Sequence, residues 1–381
     1  MSLPARGTPL RSDEWIERVR DANDIVEVIG QTVVLKRAGR NWVGVCPFHK
    51  EKSPSFSVNS ERQFYHCFGC KAGGDVFRFV METEKIGFVE AAEMLSRRAG
   101  IAIPERRPGE RGQRTAALEA LEAAAVAYEQ WLADPERGGA ARAYLEQRGI
   151  TRETQRAFRL GLAPTGWTPL IDRLRDRISE EALLEAGLVA KREQRSGVYD
   201  RFRDRLMVPL LAPGGTVVGF GGRTLGEDGP KYLNSPETSI YHKGQFLYGF
   251  DVARRPAEAA GEFVLVEGYF DVIALHQAGV THAIASSGTA LTADQARAMK
   301  RVVSRVALTF DGDDAGREAM LRSLDVLMAE GLEVAILPLA AGQDPDTFVR
   351  EHGSDGWGRL RAAGLDPVEF IQRHEESAGG V

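Results

Sequence analysis

The hydrophobic rhythm of the chain changes three times, and each change predicts a different kind of structure. Residues 12–29 follow a helical period, with Ser12, Asp13 and Glu14 as an acidic start and Trp15, Ile16 and Val19 as an apolar face. From Thr32 the pattern turns strand-like: Val33-Val34-Leu35, a basic glycine turn at 36–40, then Trp42-Val43-Gly44-Val45. Two short aromatic runs, 55–58 and 63–68, read as further strands, and 75–84 and 88–99 as two amphipathic helices, the second stopped by Gly100. A stretch rich in Pro, Gly and Arg follows, and residues 106–114 are expected to be a linker.

From Thr115 the rhythm is helical again, over 115–133, 140–148 and 152–159, with Gly149 separating the last two and Thr151 capping the third. Residues 203–223 read as two strands joined at Pro213-Gly214-Gly215. After Gly261 strands (263–266, 283–286, 306–310, 334–337) alternate with helices (270–278, 292–303, 316–330). That alternation predicts a mostly parallel sheet covered on both faces, with ligands at the carboxyl ends of its strands.

The length of 381 residues suggests two to three domains. No run approaches the roughly 20 apolar residues of a membrane span, and the N-terminus shows no signal-peptide core. Three cysteines, two of them in one C-x-x-C, exclude a disulfide framework, so a reducing cytoplasmic setting is expected. The net charge of −5 conceals an asymmetry: residues 191–250 hold nine bases against six acids, and residues 251–381 hold 12 against 21. A basic centre beside an acidic end fits a polyanion groove next to a metal site.

Cys46-Pro-Phe-His49 and Cys67-Phe-Gly-Cys70 are two knuckles separated by strand-like sequence. Two ligands three positions apart on a tight turn fit one edge of a zinc tetrahedron. A redox pair at Cys67 and Cys70 would need a βαβ surround that the pattern lacks, and buried apolar thiols are the plainer alternative. A structural zinc on Cys46, His49, Cys67 and Cys70 is the reading, with His66 a competitor outside the paired spacing. Phe48, Phe56, Phe64, Tyr65 and Phe68 read as the small core of this ribbon, with one or two left to stack on single-stranded bases beside Lys50, Lys52 and Arg62.

Glu267 follows one apolar strand, Asp311 and Asp313 a second, Asp344 and Asp346 a third, and Asp271 lies four residues beyond Glu267. These acids are expected at one end of a parallel sheet. Two carboxylates about 5 Å apart repel by roughly 3 kcal/mol at an effective dielectric of about 20, so a group of them demands a cation or shifted pKa values. Hard oxygen ligands select Mg²⁺ or Mn²⁺ over zinc. Helix capping is the plainer alternative; it accounts well for Asp314 but not for acids recurring after three strands.

These residues resemble bacterial DNA primases of the DnaG type. Cys46-Pro-Phe-His49-Lys-Glu-Lys-Ser-Pro-Ser-Phe-Ser-Val58 with Phe64-Tyr-His-Cys67-Phe-Gly-Cys70 is similar to their zinc ribbon. Tyr144-Leu-Glu-Gln-Arg148-Gly and Phe158-Arg-Leu-Gly-Leu-Ala-Pro164 look like the entry of their polymerase domain. Arg201-Phe-Arg203-Asp-Arg205, Gly219-Phe-Gly-Gly-Arg223, Lys231-Tyr-Leu-Asn234 and His242-Lys243-Gly look like its basic core. Val266-Glu267-Gly-Tyr-Phe-Asp271 and Phe310-Asp311-Gly-Asp313 look like its Toprim metal motif, which topoisomerases and some nucleases share.

The resemblance implies a multidomain α+β and α/β fold. Its parts would be a zinc-binding domain (1–105), the linker, an N-terminal subdomain of the polymerase core (115–255), a Toprim subdomain (256–350) and the start of a truncated helical region (351–381). It implies a nucleotidyltransferase that makes RNA primers on single-stranded DNA with Mg²⁺ or Mn²⁺. Glu267, Asp311 and Asp313 would be catalytic, with Asp271, Asp344 and Asp346 as supporting metal ligands and Glu267 either a ligand or the acceptor of the hydroxyl proton. Arg203, Arg223, Lys231, Asn234 and Lys243 would bind the nucleotide, and Arg148 and Arg201 the template. The setting implied is a cytoplasmic monomer at the replication fork, with the family's helicase-binding domain absent from this chain. A Toprim nuclease or topoisomerase, and a non-catalytic zinc-ribbon protein binding single-stranded DNA, are the competing classes.

Overall fold

The computed structural model describes residues 12–378 apart from 52, 85, 104–109, 193–195, 213, 227–228 and 289. It divides into two compact units, one up to residue 108 and one from 109 onward.

In the first unit, α1 (Ser12–Asp21) and α2 (Ile25–Gly30) replace the single helix expected over 12–29. The break has a chemical cause. Buried Asn23 donates to Val19 O (2.7 Å) and Leu95 O (3.1 Å), and Asp24 caps α2 by accepting from the N–H groups of Val26 (2.9 Å) and Glu27 (3.1 Å). Such side-chain bonds compete with helix continuation.

Five strands follow, β1 (Lys36–Ala38), β2 (Asn41–Gly44), β3 (Phe56–Asn59), β4 (Phe64–Cys67) and β5 (Gly73–Gly74), paired antiparallel in chain order. The strand expected at Val33 starts at Lys36. Helices α3 (Val76–Glu84) and α4 (Phe88–Arg98) complete the unit. Its core holds Trp15, Ile25, Ile29, Phe56, Tyr65, Phe77 and Phe79, and the rings of Phe48, Phe56, Tyr65 and Phe79 lie 5.1–6.2 Å apart. Phe64 and Phe68, expected in this core, are 44% and 66% exposed. Strand alternation explains Phe64, because β4 turns Tyr65 and Cys67 inward.

The second unit opens with α5 (Glu110–Ala133), which begins inside the stretch read as linker; residues 106–109 of that stretch lie outside the described residues. Its buried Ala117, Ala120, Leu121, Ala124 and Tyr128 repeat at helical spacing. Next come α6 (Gly139–Gln147), α7 (Arg152–Ala157), β6 (Gly161–Ala163), α8 (Pro169–Leu174) and α9 (Glu180–Glu185). Thr151 caps α7 as expected, accepting from the Thr154 N–H at 3.2 Å. A hairpin, β7 (Val189–Lys191) and β8 (Val198–Asp200), leads to β9 (Arg205–Ala212), β10 (Thr216–Thr224) and β11 (Tyr232–Asn234). These form an antiparallel sheet in the order β11-β10-β9-β6. Pro213, in the expected turn, lies outside the described residues. At Gly161 a Cβ would lie 2.5 Å from Tyr128 Cβ, so only glycine lets β6 approach α5 this closely.

The remainder alternates: α10 (Phe250–Ala260), β12 (Glu262–Val266), α11 (Tyr269–Gln277), β13 (Ala283–Ala285), α12 (Ala293–Lys300), β14 (Arg305–Leu308), α13 (Asp314–Ala329), β15 (Glu333–Ile336), α14 (Pro345–Ala362, kinked at Gly353) and α15 (Pro367–Ala378). The four strands are all parallel, in the order β13-β12-β14-β15. Val264 and Val266 pack with α11 and with Val349 and Trp357 of α14. Phe263 and Leu265 pack with Ala253 of α10, Met299 of α12 and Leu324 of α13. A sheet buried on both faces needs nearly continuous apolar strands, which is how these read. The first of these cores continues into the antiparallel sheet, and the second stays on the other face of the parallel sheet. The carboxyl ends of β12, β14 and β15 share one edge.

Candidate metal centres and basic surface

In the first unit, Cys46 and His49 leave the end of β2, while Cys67 ends β4 and Cys70 closes the turn after it. Their ligand atoms all lie within 4.8 Å of one another. Cys46 Sγ stands 3.8 Å from Cys70 Sγ, and Cys67 Sγ 3.8 Å from His49 Nδ1. Two zinc–sulfur bonds of about 2.3 Å at a tetrahedral angle put sulfurs about 3.8 Å apart, so the set fits a zinc ion. Backbone N–H groups of Phe48 and Cys70 point at Cys46 Sγ (3.4 Å) and Cys67 Sγ (3.5 Å). Burial pushes the Cys46 thiol up to about 12. Burial also raises Cys67, but the hydrogen bond it shares with Ser55 and those from backbone N–H groups outweigh it and bring the thiol to about 6.

Behind these ligands sits Glu51, to which the sequence reading assigned no role. Its Oε2 lies 3.2 Å from His49 Nε2 and accepts from Ser55 Oγ (2.5 Å), while its Oε1 accepts from the Cys46 N–H (2.7 Å) and the Ser55 N–H (3.1 Å). Ser55 Oγ also lies 3.2 Å from Cys67 Sγ. One carboxylate thus ties three of the four ligands together, and a carboxylate on the far nitrogen of a ligand histidine sets its tautomer. Its closeness to His49 in the chain was the available signal.

In the second unit, Glu267 follows β12, Asp311 and Asp313 follow β14, and Asp344 precedes α14. Glu267 Oε1 accepts from the Asp311 N–H at 3.4 Å. Burial, then the charges of Asp311 and Asp313, raise Glu267 above the usual carboxylate range. Burial raises Asp311, with Asp344 and Asp313 adding to it and Lys231 opposing it. Asp271 is raised well above that range by burial and by Asp311, Asp344 and Asp346. The acids therefore share one electrostatic neighbourhood. Hard oxygens in this number suit a divalent cation such as Mg²⁺ or Mn²⁺.

Several of them carry a second duty. Asp313 caps α13, accepting from the Gly316 N–H at 2.7 Å, and Asp344 caps α14 through the Thr347 N–H at 2.6 Å. Asp271 accepts from the Gly268 N–H at 3.0 Å. Capping and clustering coexist, and the capping acid after β14 is Asp313, not Asp314, whose side chain is 94% exposed. Asp346 is buried at 2% and faces two guanidiniums, with Arg148 Nη1 at 2.5 Å and Arg350 Nε at 3.1 Å.

The expected basic residues fall into three places. Lys231 is exposed and stands in the field of Asp311, and Arg223, at the end of β10, lies with its Cζ 4.2 Å over the Tyr144 ring. Arg148 stacks on Tyr144 (5.3 Å) and Phe270 (4.8 Å), its charge directed at Asp346. Arg203 stands apart from these: its Cζ lies 4.7 Å over Trp167 and 5.1 Å over Tyr199, and Arg192 covers Trp167 at 5.5 Å. Trp167, 58% exposed between two arginines, is a surface that the sequence reading missed. Arg201 is half-buried and its backbone N–H bonds Leu188 O at 2.9 Å.

Asn234 joins the sheets, donating to Ser287 O (3.1 Å) and accepting from Tyr269 OH (2.8 Å). Lys243 opens a single 3₁₀ turn. Its N–H donates to Glu237 Oε1 (2.9 Å), and its carbonyl accepts from buried Gln295 (3.3 Å).

Three family models match the chain: a CHC2 zinc finger over residues 11–111, the N-terminal domain of the DNA primase catalytic core over 127–254, and a Toprim-like domain over 264–349. The chain is 46% identical over 346 residues to a DNA primase of Halalkalibacterium halodurans, covering 90% of this chain and 58% of that protein. It is 42% identical over 343 residues to the DNA primase of Escherichia coli strain K12, covering 88% and 59%. The chain thus spans a little under three fifths of the length of these relatives. It is similar to the zinc-binding and RNA polymerase domains of Aquifex aeolicus primase, with a TM-score of 0.64, 34% identity and coverage of 95% of this chain and 88% of that one. It also resembles a DnaG primase catalytic domain solved bound to ssDNA, with a TM-score of 0.63, 37% identity and coverage of 70% and 84%.

Proposed function

The chain belongs to the DnaG-type family of bacterial DNA primases, and from that premise we propose that it synthesises short RNA primers from ribonucleoside triphosphates on single-stranded DNA. The observation that carries this reading is the acid edge, where Glu267 stands in the fields of Asp311 and Asp313, and Asp311 in those of Asp344 and Asp313, beside the exposed Lys231. Asp311 and Asp313 would hold Mg²⁺ or Mn²⁺, with Asp271 and Asp344 in support. A cation held there would supply positive charge against the negative charge that builds when a 3′-hydroxyl attacks an α-phosphate. Glu267, raised by burial, would take the hydroxyl proton. Lys231, Arg223 and Lys243 meet the triphosphate as point charges and a planar fork. Trp167 with Arg192 and Arg203 offers an aromatic face and cations to the template strand.

Cys46, His49, Cys67 and Cys70 would hold one structural zinc, whose unit presents the template or the initiating nucleotide to the acid edge. In this reading the protein acts in the cytoplasm at the replication fork, beside a replicative helicase. No helix among the described residues is long and apolar enough to cross a membrane. Incubation with single-stranded DNA, labelled ribonucleotides and Mg²⁺ or Mn²⁺ tests the proposal. New short RNA is the expected product. Cut or relaxed DNA would move the chain to the nuclease and topoisomerase class, and binding without turnover would make it a binding module.

A further inference from the structure

Tyr144 sits where two arginines of different employment meet. Its hydroxyl accepts from Arg148 Nε, and Arg148 is otherwise committed to Asp346, with its guanidinium over the rings of Tyr144 and Phe270. The same Tyr144 ring lies 4.2 Å from Arg223 Cζ. Arg223 gives Nη1 to Thr224 O at 3.0 Å, while its Nε is buried and takes no hydrogen bond among the described residues. A buried donor left unpaired is costly, and it points to an acceptor that arrives with a ligand. The five side chains come from four elements: Tyr144 and Arg148 from α6 and its end, Arg223 from β10, Phe270 from α11, Asp346 from α14. Two guanidiniums this close repel, and the negative face of one aromatic ring attracts both.

We propose that Tyr144 is a positioning residue that divides the work of the two arginines: its hydroxyl keeps Arg148 on Asp346, and its ring presents Arg223 to the phosphates of the incoming nucleotide. The inference rests on the reading of Arg223 as a triphosphate contact. Tyr144 itself touches no substrate. A cation–π contact of about 0.5–2 kcal/mol corresponds to roughly a two- to thirtyfold change in affinity, so loss of the ring should be visible in nucleotide KM. Loss of the hydroxyl alone should leave that KM nearly intact.

The test is nucleotide KM and kcat for extension of a pre-annealed RNA primer by the full chain, with thermal melts of every variant. Arg223→Ala should raise KM about tenfold. Tyr144→Leu should raise it about three- to tenfold with a smaller change in kcat, and Tyr144→Phe should stay within about twofold of the parent. Tyr144→Leu combined with Arg223→Ala should be no worse than Arg223→Ala alone, because the ring acts through that arginine. Should the leucine variant melt early, Tyr144→Met, a flexible filler without a π face, is read in its place. A normal KM for Tyr144→Leu, a multiplicative double variant, or a Tyr144→Phe as impaired as Tyr144→Leu would each overturn the positioning role while leaving the triphosphate reading standing. A normal KM for Arg223→Ala would instead overturn the triphosphate reading, and this inference with it.

Discussion

The two candidate metal centres solve opposite problems. Around Cys46, His49, Cys67 and Cys70, four soft ligands converge within 4.8 Å, and Glu51 and Ser55 hold three of them from behind. Among the described residues, no group of acids converges on a single metal position in this way. The acids after β12 and β14 and before α14 stand in one another's fields, yet Asp313 and Asp344 also cap helices and Asp346 is taken by arginines. A closed set of protein ligands builds structure and leaves no open position, whereas spread hard oxygens leave room for a cation, a phosphate and an attacking hydroxyl. In the proposed reading, convergence marks the centre that holds the fold, and the partly committed acids mark the centre that does chemistry.

That contrast breaks first at Asp311. Asp311→Asn keeps the shape and removes one charge from the acid edge, so primer synthesis should fall by about three orders of magnitude with zinc content and melting unchanged. Rates near the parent at limiting Mg²⁺ would remove Asp311 from the metal role. Cys67→Ala should act on the other centre: zinc is lost, residues 40–70 lose order, and initiation falls about a hundredfold while extension of a pre-annealed primer changes only a few-fold. Equal losses in both assays would mean that the zinc unit serves initiation and extension alike.

Glu51→Gln sharpens the comparison without removing a ligand. It weakens the hold on His49 and Ser55, so a competitive chelator should strip zinc about ten- to a hundredfold more readily, with extension unaffected. The smallest effect is a pH dependence. Asp271, Asp311 and Glu267 bind protons more tightly folded than ordinary carboxylates do. Between the ordinary carboxylate range and their raised values the folded chain therefore holds more protons than the unfolded one, and its stability falls as pH rises through that window. Without divalent cation the second unit should melt roughly 2–4 °C higher at pH 5.5 than at 7.5, and added Mg²⁺ should narrow the gap by raising the melt at pH 7.5. An equal gap with and without Mg²⁺ would remove the acids as its cause.

The alternation after Gly261 reported the parallel sheet because strands buried on both faces must be apolar throughout, and the acids at their ends interrupt that rule visibly. The knuckle spacing was legible for the same local reason. The break at Asn23 and Asp24 was not, since both fit a helical period and only their hydrogen bonds to Leu95 O and to Val26 and Glu27 reveal it. Tyr144 and Trp167 escaped because their roles depend on partners brought by folding, Arg223 from β10 for Tyr144 and Arg203 for Trp167, whereas Glu51 has its partners His49, Cys46 and Ser55 nearby in the chain and was legible there. Asp346 read as one more acid of the edge. Of its arginines, Arg148 lies one helical turn (four residues) past Tyr144 and Arg350 four residues past Asp346 along α14, and only the first of these contacts is long-range.

The division between the two centres is tested most directly by removing all metal from the full chain and restoring one ion at a time. The account predicts that Mg²⁺ or Mn²⁺ alone restores extension of a pre-annealed RNA primer on single-stranded DNA, and that initiation returns only when zinc is also restored. Full initiation with Mg²⁺ alone, or extension that waits for zinc, would contradict it.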